Sequence, residues 1–197
     1  MITKEEAQEL IKLEGQARGV AFQVDAHYVE KKWGKEGLAK LESRLVDVGC
    51  PIDYNKINSF TWYPIGLRML SLRMISEVFD LDDQKIKDIG YQAPQISFFI
   101  KMLARFSPTI RSTLEKGTEL WKRHYSRGRI EAKYDEPGKS ILIRLIDFPL
   151  PEIGCFYLEG FLQRLLEFAV GRKVKAELIK AFYRGDPDTE FRFWWEA

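Results

Sequence analysis

The sequence is poor in the residues that usually mark a chemical centre. It has two cysteines, Cys50 and Cys155, and two histidines, His27 and His124, in 197 residues. Two cysteines cannot build a disulfide framework, and in mixed apolar settings they read as buried free thiols. No Gly-rich phosphate loop, His-Glu-x-x-His or Cys-x-x-Cys pattern occurs, and no Ser, His and Asp are spaced as a nucleophilic triad. The chain is therefore read as a non-enzyme. No run approaches the roughly 20 apolar residues of a membrane span, and the stretch Met1 to Glu6 lacks an apolar signal region, so the expected location is cytoplasmic with no membrane contact. Lys plus Arg is 31 against 29 Asp plus Glu. That balance gives no field suited to nucleic acid. The basic residues gathered between Lys101 and Arg129 read as a solvated helix face.

What is present is a globular composition, 45% hydrophobic and 13% aromatic. The aromatics supply core volume and can also wall a pocket. Helix signals dominate the first 127 residues. Thr3 with Glu6 forms a capping box ahead of Ala7, Leu10 and Ile11. Gly19 to Asp25 suggests a short extended entry, with Asp25 capping a helix that stops near Gly34. Leu38, Leu41, Leu45 and Val48 carry a further helix to Gly49. Trp62, Tyr63 and Pro64 are read as opening a strong helix through Leu67, Leu70, Met74 and Val78. A short helix from Leu81 is ended by Gly90, another covers about Ile96 to Phe106, and Pro108 opens one through Trp121.

At Gly128 the period changes from helical to alternating. Arg129 to Asp135 and Ser140 to Ile146 alternate around the Pro137-Gly138 turn, which predicts a hairpin. Phe156, Leu158, Leu162, Leu165 and Leu166 then form a helix face that ends at Gly171. Two more alternating runs, Lys173 to Ile179 and Thr189 to Trp194, flank the turn Arg184 to Asp188. The expected class is α+β: a helical subdomain, 1–127, then a β-β-α-β-β subdomain, 128–197, with an antiparallel sheet packed on a helix, the two together forming one compact ligand-binding domain.

This order, together with Cys155 to Phe161 in the last helix and the Gly185-Asp186 turn before an aromatic strand, resembles the superfamily of ligand-binding domains in NO signalling and Golgi transport. Its members include heme-NO-binding domains, the 4-vinyl reductase type of sensor domain, and small TRAPP tethering subunits. The motif likeness covers about 70 C-terminal residues and is strongest to the 4-vinyl reductase type. The resemblance implies a sensor whose ligand lies between the helical half and one face of the sheet. Where the 4-vinyl reductase type carries metal-binding cysteines, Ala181 and Thr189 stand, so no metal is expected. Heme-NO-binding domains use an axial His and a Tyr-x-Ser-x-Arg motif. Here Tyr125-Ser126-Arg127 follows His124 without that spacing.

The resulting expectation is a sensor or regulatory domain for a small, largely apolar molecule, with no cofactor. The ligand-binding candidates are Trp62, Tyr63, Leu67, Arg68, Phe98, Met102, Trp121, Tyr157 and Phe161. Arg68 and Arg73 are the polar candidates, because a buried arginine must find a partner. His124 is the candidate ligand for heme, against a bland role at a helix C-terminus. A second reading is a TRAPP-like module that forms a homodimer or meets a signalling partner protein through apolar stripes such as Tyr91, Phe98 and Phe99. A third is a heme-based gas sensor.

Overall fold

Thr3 caps the first helix as its sequence predicts: the side chain accepts from the Glu6 amide, and the Glu6 carboxylate accepts from the Thr3 amide. That helix is α1, Lys4–Ile11, in a computed structural model that describes residues 1–96 and 109–196. The chain divides into two compact units, Met1–Ile86 and Lys87–Ala197.

In the first unit, β1 (Gln16–Arg18) pairs antiparallel with β2 (Trp62–Pro64). The extended stretch thus lies just before Gly19 rather than after it, and helix α2 runs Val20–Asp47. The two predicted helices are joined across Gly34, whose φ of 71° breaks the helical path. A glycine tolerates that left-handed conformation, which a side chain would strain. Asp25 is consequently no cap but a buried residue inside the helix. Trp62, Tyr63 and Pro64 likewise form a strand, and helix α3, Ile65–Val78, starts one residue later. Pairing with β1 holds this stretch extended, although Pro64 suits a helix start by local preference. Leu38, Leu41 and Leu45 of α2 are buried along with Met69, Leu70, Leu72, Met74 and Ile75 of α3, and the two helices pack together.

Helix α4, Asp83–Ile96, runs through both Gly90 and Pro94, so Gly90 does not end it. The helix expected at Ile96 to Phe106 lies almost wholly outside the described residues. Helix α5, Ile110–His124, has Thr109 as N-cap, in a reciprocal box with Ser112. Then come β3 (Arg129–Asp135), β4 (Ser140–Ile146), α6 (Glu152–Val170), β5 (Lys175–Lys180) and β6 (Thr189–Trp194). The predicted α+β class and β-β-α-β-β order are those of the chain. Gly171 closes α6 in the left-handed conformation, with φ 72°.

The four strands are antiparallel in the order β3-β4-β6-β5, so the last strand enters the middle of the sheet. The register sorts the two faces. Ala132, Ile143, Phe191 and Leu178 share one row, and Tyr134, Ile141, Phe193 and Ala176 the next. Ile141, Ile143, Phe191 and Phe193 are buried there, and α6 packs against β5 and β6. On the other face, Glu131, Arg144, Glu190 and Lys180 stand side by side. Arg144 reaches Asp188 at 2.7 Å and Glu190 at 3.4 Å. Among the described residues, no helix is long and apolar enough to cross a membrane.

Candidate functional site

Four of the predicted site residues fall on β2 and α3 of the first unit. Trp62 is half-buried beneath the Arg18 guanidinium, 3.8 Å from the ring centre, and Arg18 also donates to the Phe60 carbonyl. The Tyr63 hydroxyl accepts from the Asn58 amide at 3.0 Å, and its ring lies 5.5 Å from that of Phe22. Leu67 is half-buried. Arg68 is 1% exposed and paired with Asp25, which is fully buried. Arg73, the other arginine of this helix, is exposed.

The Arg68 pairing follows from desolvation: a buried guanidinium needs a counter-charge. Arg68 Nη2 donates to Asp25 Oδ1 at 3.1 Å, and Nη1 lies 2.5 Å from Oδ2. Beside them the Tyr54 and Ser71 hydroxyls are 2.7 Å apart, both buried. Burial raises the Tyr54 phenol above its ordinary value, against the hydrogen bond to Ser71. Burial also pushes the Asp25 carboxyl up to about 7, against the opposing pull of Arg68.

The second unit holds Trp121, Tyr157 and Phe161. Trp121 is buried and stacked on Tyr125 at 4.2 Å, with Phe148 edge-on to both rings. Its indole N–H donates to the Arg127 carbonyl at 3.2 Å. Tyr157 is buried, Phe161 is half-buried, and their rings lie 6.5 Å apart on α6. Phe98 and Met102 lie outside the described residues, as does Phe99. Tyr91 does not form an open apolar stripe. It is half-buried, its hydroxyl donates to Glu167 and accepts from Arg164 at 3.2 Å and Lys173 at 2.9 Å.

The histidines differ in setting. His27 is exposed on α2. His124 is half-buried at the end of α5, with Nδ1 2.9 Å from the Leu120 carbonyl oxygen. A carbonyl only accepts, so in the neutral ring Nδ1 carries the proton and Nε2 the lone pair. Fixing one ring nitrogen on a carbonyl is how a metal-bound histidine is oriented. Among the described residues no group of three His, Cys, Asp or Glu could hold a bare metal ion, but heme supplies four ligands itself and asks the protein for an axial one. His124 fits that role by chemistry. Cys155 fits it poorly, because burial pushes its thiol up to about 12, against a hydrogen bond from Thr189 and the Arg184 charge. Ala181 and Thr189 are both fully buried.

Asp25, Tyr54, Ser71, Glu167, Arg164, Tyr125 and Phe148 were not among the predicted site residues. The need of a buried arginine for a partner marks Arg68 in the sequence. Its partner lies 43 residues away, and no local pattern marks it.

No protein-family description and no curated protein matches the sequence. Solved structures do. An H-NOX protein from S. oneidensis in the Fe(II)NO state aligns over 89% of this chain and 97% of its own, with 14% identity and a TM-score of 0.67. The H-NOX domain from Shewanella oneidensis in the Fe(II)CO state aligns over 91% and 98%, with 14% identity and a TM-score of 0.66. An Fe(II) unliganded H-NOX variant from K. algicida aligns over 90% and 95%, with 14% identity and a TM-score of 0.64. The chain has the fold of these H-NOX structures, within the superfamily its sequence resembles, while the stronger motif likeness to the 4-vinyl reductase type has no counterpart among them. That likeness corrects the expectation of no cofactor: two further structures that share this fold concern heme, its redox potential in one and its distortion in the H-NOX family in the other, which points to heme rather than to none.

Proposed function

We propose that the chain is a sensor domain of the H-NOX type, using heme to detect a gas-sized ligand, with His124 as the axial residue. The observation that carries this reading is a fold shared with ferrous H-NOX structures over about nine-tenths of the chain. His124 is the histidine whose surroundings suit the part. Its Nδ1–H is fixed on the Leu120 carbonyl, which orients the ring. The neighbouring Trp121, Tyr125 and Phe148 cluster supplies apolar bulk in the same unit. Trp121, Tyr157 and Phe161 are the residues of this unit proposed to wall the ligand. Heme, when bound, supplies the iron on which a small ligand is read. His124, its ring fixed on the Leu120 carbonyl, would hold that iron.

The test is reconstitution of the full chain with hemin, followed by visible absorption with and without NO or CO. A Soret band that shifts with gas, and that is lost or displaced in His124→Ala but kept in His27→Ala, is the expected result. Absence of a Soret band in the unsubstituted chain overturns the heme reading. A His124→Ala spectrum identical to that of the unsubstituted chain overturns the axial assignment.

A further inference from the structure

The two edges of the four-stranded sheet are built differently. An edge strand presents unpaired backbone groups, and proteins usually guard it with a bulge, lysines or a proline. β5 has a shift of register between Leu178 and Lys180 and a lysine at each end. β3 has no such break: its seven residues pair with β4 in one continuous register, and none is a proline. Among the described residues no strand pairs with its outer side. In an antiparallel ladder alternate residues turn their amides and carbonyls away from the partner strand, so β3 aims a row of donors and acceptors outward.

The side chains of β3 sort by sign as well as by face. Arg129, Glu131, Lys133 and Asp135 lie on the polar face in the order plus, minus, plus, minus, and all four are exposed. Helix α5 packs with β3 and leaves them so. Ile130, Ala132 and Tyr134 lie on the core face. They are half-buried, whereas Leu145, Ile143 and Ile141 opposite them on β4 are buried. Cover of the core face is thus incomplete at this edge.

The pattern is complementary to itself. When two copies of β3 run antiparallel about a two-fold axis at Ala132, Arg129 stands opposite Asp135 of the second copy, and Glu131 opposite its Lys133. The axis repeats both pairs, so unlike charges meet along the whole polar face. On the core face Ile130 meets Tyr134 on either side of a central pair of alanines. A register displaced by two residues sets Glu131 against Glu131 in one direction and Lys133 against Lys133 in the other. A slip of one residue carries the charges to the apolar face. One register is therefore favoured, and its neighbours are opposed by like charges.

We propose that β3 is a dimerisation edge, where a second copy of this chain pairs antiparallel about Ala132 and joins two four-stranded sheets into one of eight strands. The contacts these charges make within the chain do not oppose this. Arg129 meets Asp147 at 2.8 Å and Glu131 at 3.3 Å, and Glu131 lies 4.0 Å from Arg144. All are solvated pairs of the kind that contribute little. Asp135 accepts from the Gly138 amide through Oδ1. Pairing through one strand lies at the low end of interface size, so a weak dimer is expected, with a Kd on the order of 10 µM.

The experiment is sedimentation velocity of the full chain at about 1–200 µM, at low and at high salt. No heme is needed, so the outcome is separate from that of the heme reading. The unsubstituted chain is expected to dimerise over this range, and less so at high salt. Lys133→Glu and Glu131→Lys, both at exposed positions, should each weaken the dimer by about tenfold or more, since two symmetry-related contacts turn from unlike to like charge. The double variant Glu131→Lys with Lys133→Glu should dimerise again. So should an equal mixture of the two single variants, as a heterodimer, because both arrangements restore unlike pairs across the axis. A chain that stays monomeric throughout overturns the proposal, as does a dimer that the single reversals leave unchanged. Failure of both the double variant and the mixture to dimerise overturns it as well.

Discussion

Gly90 of α4 and Gly160 of α6 mark a crossing at which two helices touch backbone to backbone. A Cβ on Gly90 would stand 1.9 Å from the Tyr157 carbonyl oxygen, and one on Gly160 would stand 2.0 Å from the Lys87 carbonyl oxygen. Each glycine thus faces the other helix's main chain, where no side chain can swing aside. Lys87 then reaches Glu159 at 2.7 Å, and Tyr91 reaches Glu167, so polar pairs flank the glycines on both sides. Gly160 carries close helix contact, one of the uses that a mid-helix glycine signals.

Gly160→Ala and Gly90→Ala are each expected to destabilise the fold by about 2–3 kcal/mol, since overpacking against a fixed backbone forces the helices apart. The double variant should cost less than the sum, because the first methyl already opens the crossing for the second. Urea unfolding of the three variants measures this. Fully additive losses would show that the two glycines do not share one contact.

Gly117→Ala should act in the opposite direction. Gly117 lies inside α5 with nothing within 4 Å of its would-be Cβ. An alanine there gains helix propensity without a clash, for about 0.5–1 kcal/mol of added stability. A rise in Tm is the expected outcome, and a fall would mean that the site is packed in solution.

The C-terminal half was legible because its signals are local. Alternation in Ser140 to Ile146, the Pro137-Gly138 turn and the apolar stripe closed by Gly171 each fix an element within a few residues of itself. What was missed depended on partners far along the chain. Gly90 reads as a helix stop until α6 is placed beside it. Trp62 to Pro64 reads as a helix start until Gln16 to Arg18 pairs with it. Asp25 reads as a cap until Arg68 arrives from α3. Arg68 itself was legible, since a cation on a strongly apolar helix must either reach water or find an anion. The expectation of no cofactor followed from the lack of an axial-histidine motif at a fixed spacing, whereas the fold persists at 14% identity with an H-NOX structure.

Glu167 should give the fold an acid-sensitive component. Burial raises its carboxyl, but hydrogen bonds from Tyr91, Arg164 and the Val174 amide, with the Lys173 charge, outweigh that and hold it below the usual carboxylate range. A depressed carboxylate contributes stability above the ordinary value of 4.5, and this is lost as pH falls through the lower folded value. Glu167→Gln is expected to destabilise at neutral pH by on the order of 1–3 kcal/mol, through loss of charged hydrogen bonds. It should also flatten the fall in Tm below about pH 4.5. An unchanged acid slope in the variant would assign that sensitivity elsewhere.

Asp186 rather than Asp188 should control the turn before β6. Its carboxylate accepts from the Ala181 amide at 2.9 Å, while its own amide donates to the Ala181 carbonyl at 3.3 Å. The side chain and backbone together close residues 181–186 around Gly185, which sits at φ 94°. Asp188 instead reaches across the sheet to Arg144, an arginine that is 42% exposed and already shares Glu190. Asp186→Ala therefore leaves the buried Ala181 amide without its acceptor, at a cost of about 1–3 kcal/mol. Asp188→Ala removes one of three carboxylates, with Glu131 and Glu190, from a solvated cation, at a cost below about 1 kcal/mol. The two variants, compared by chemical unfolding and by amide exchange at Ala181, should separate cleanly. Faster exchange at Ala181 in Asp186→Ala alone would place the constraint in the turn, and equal losses in both would place it in the charge ladder.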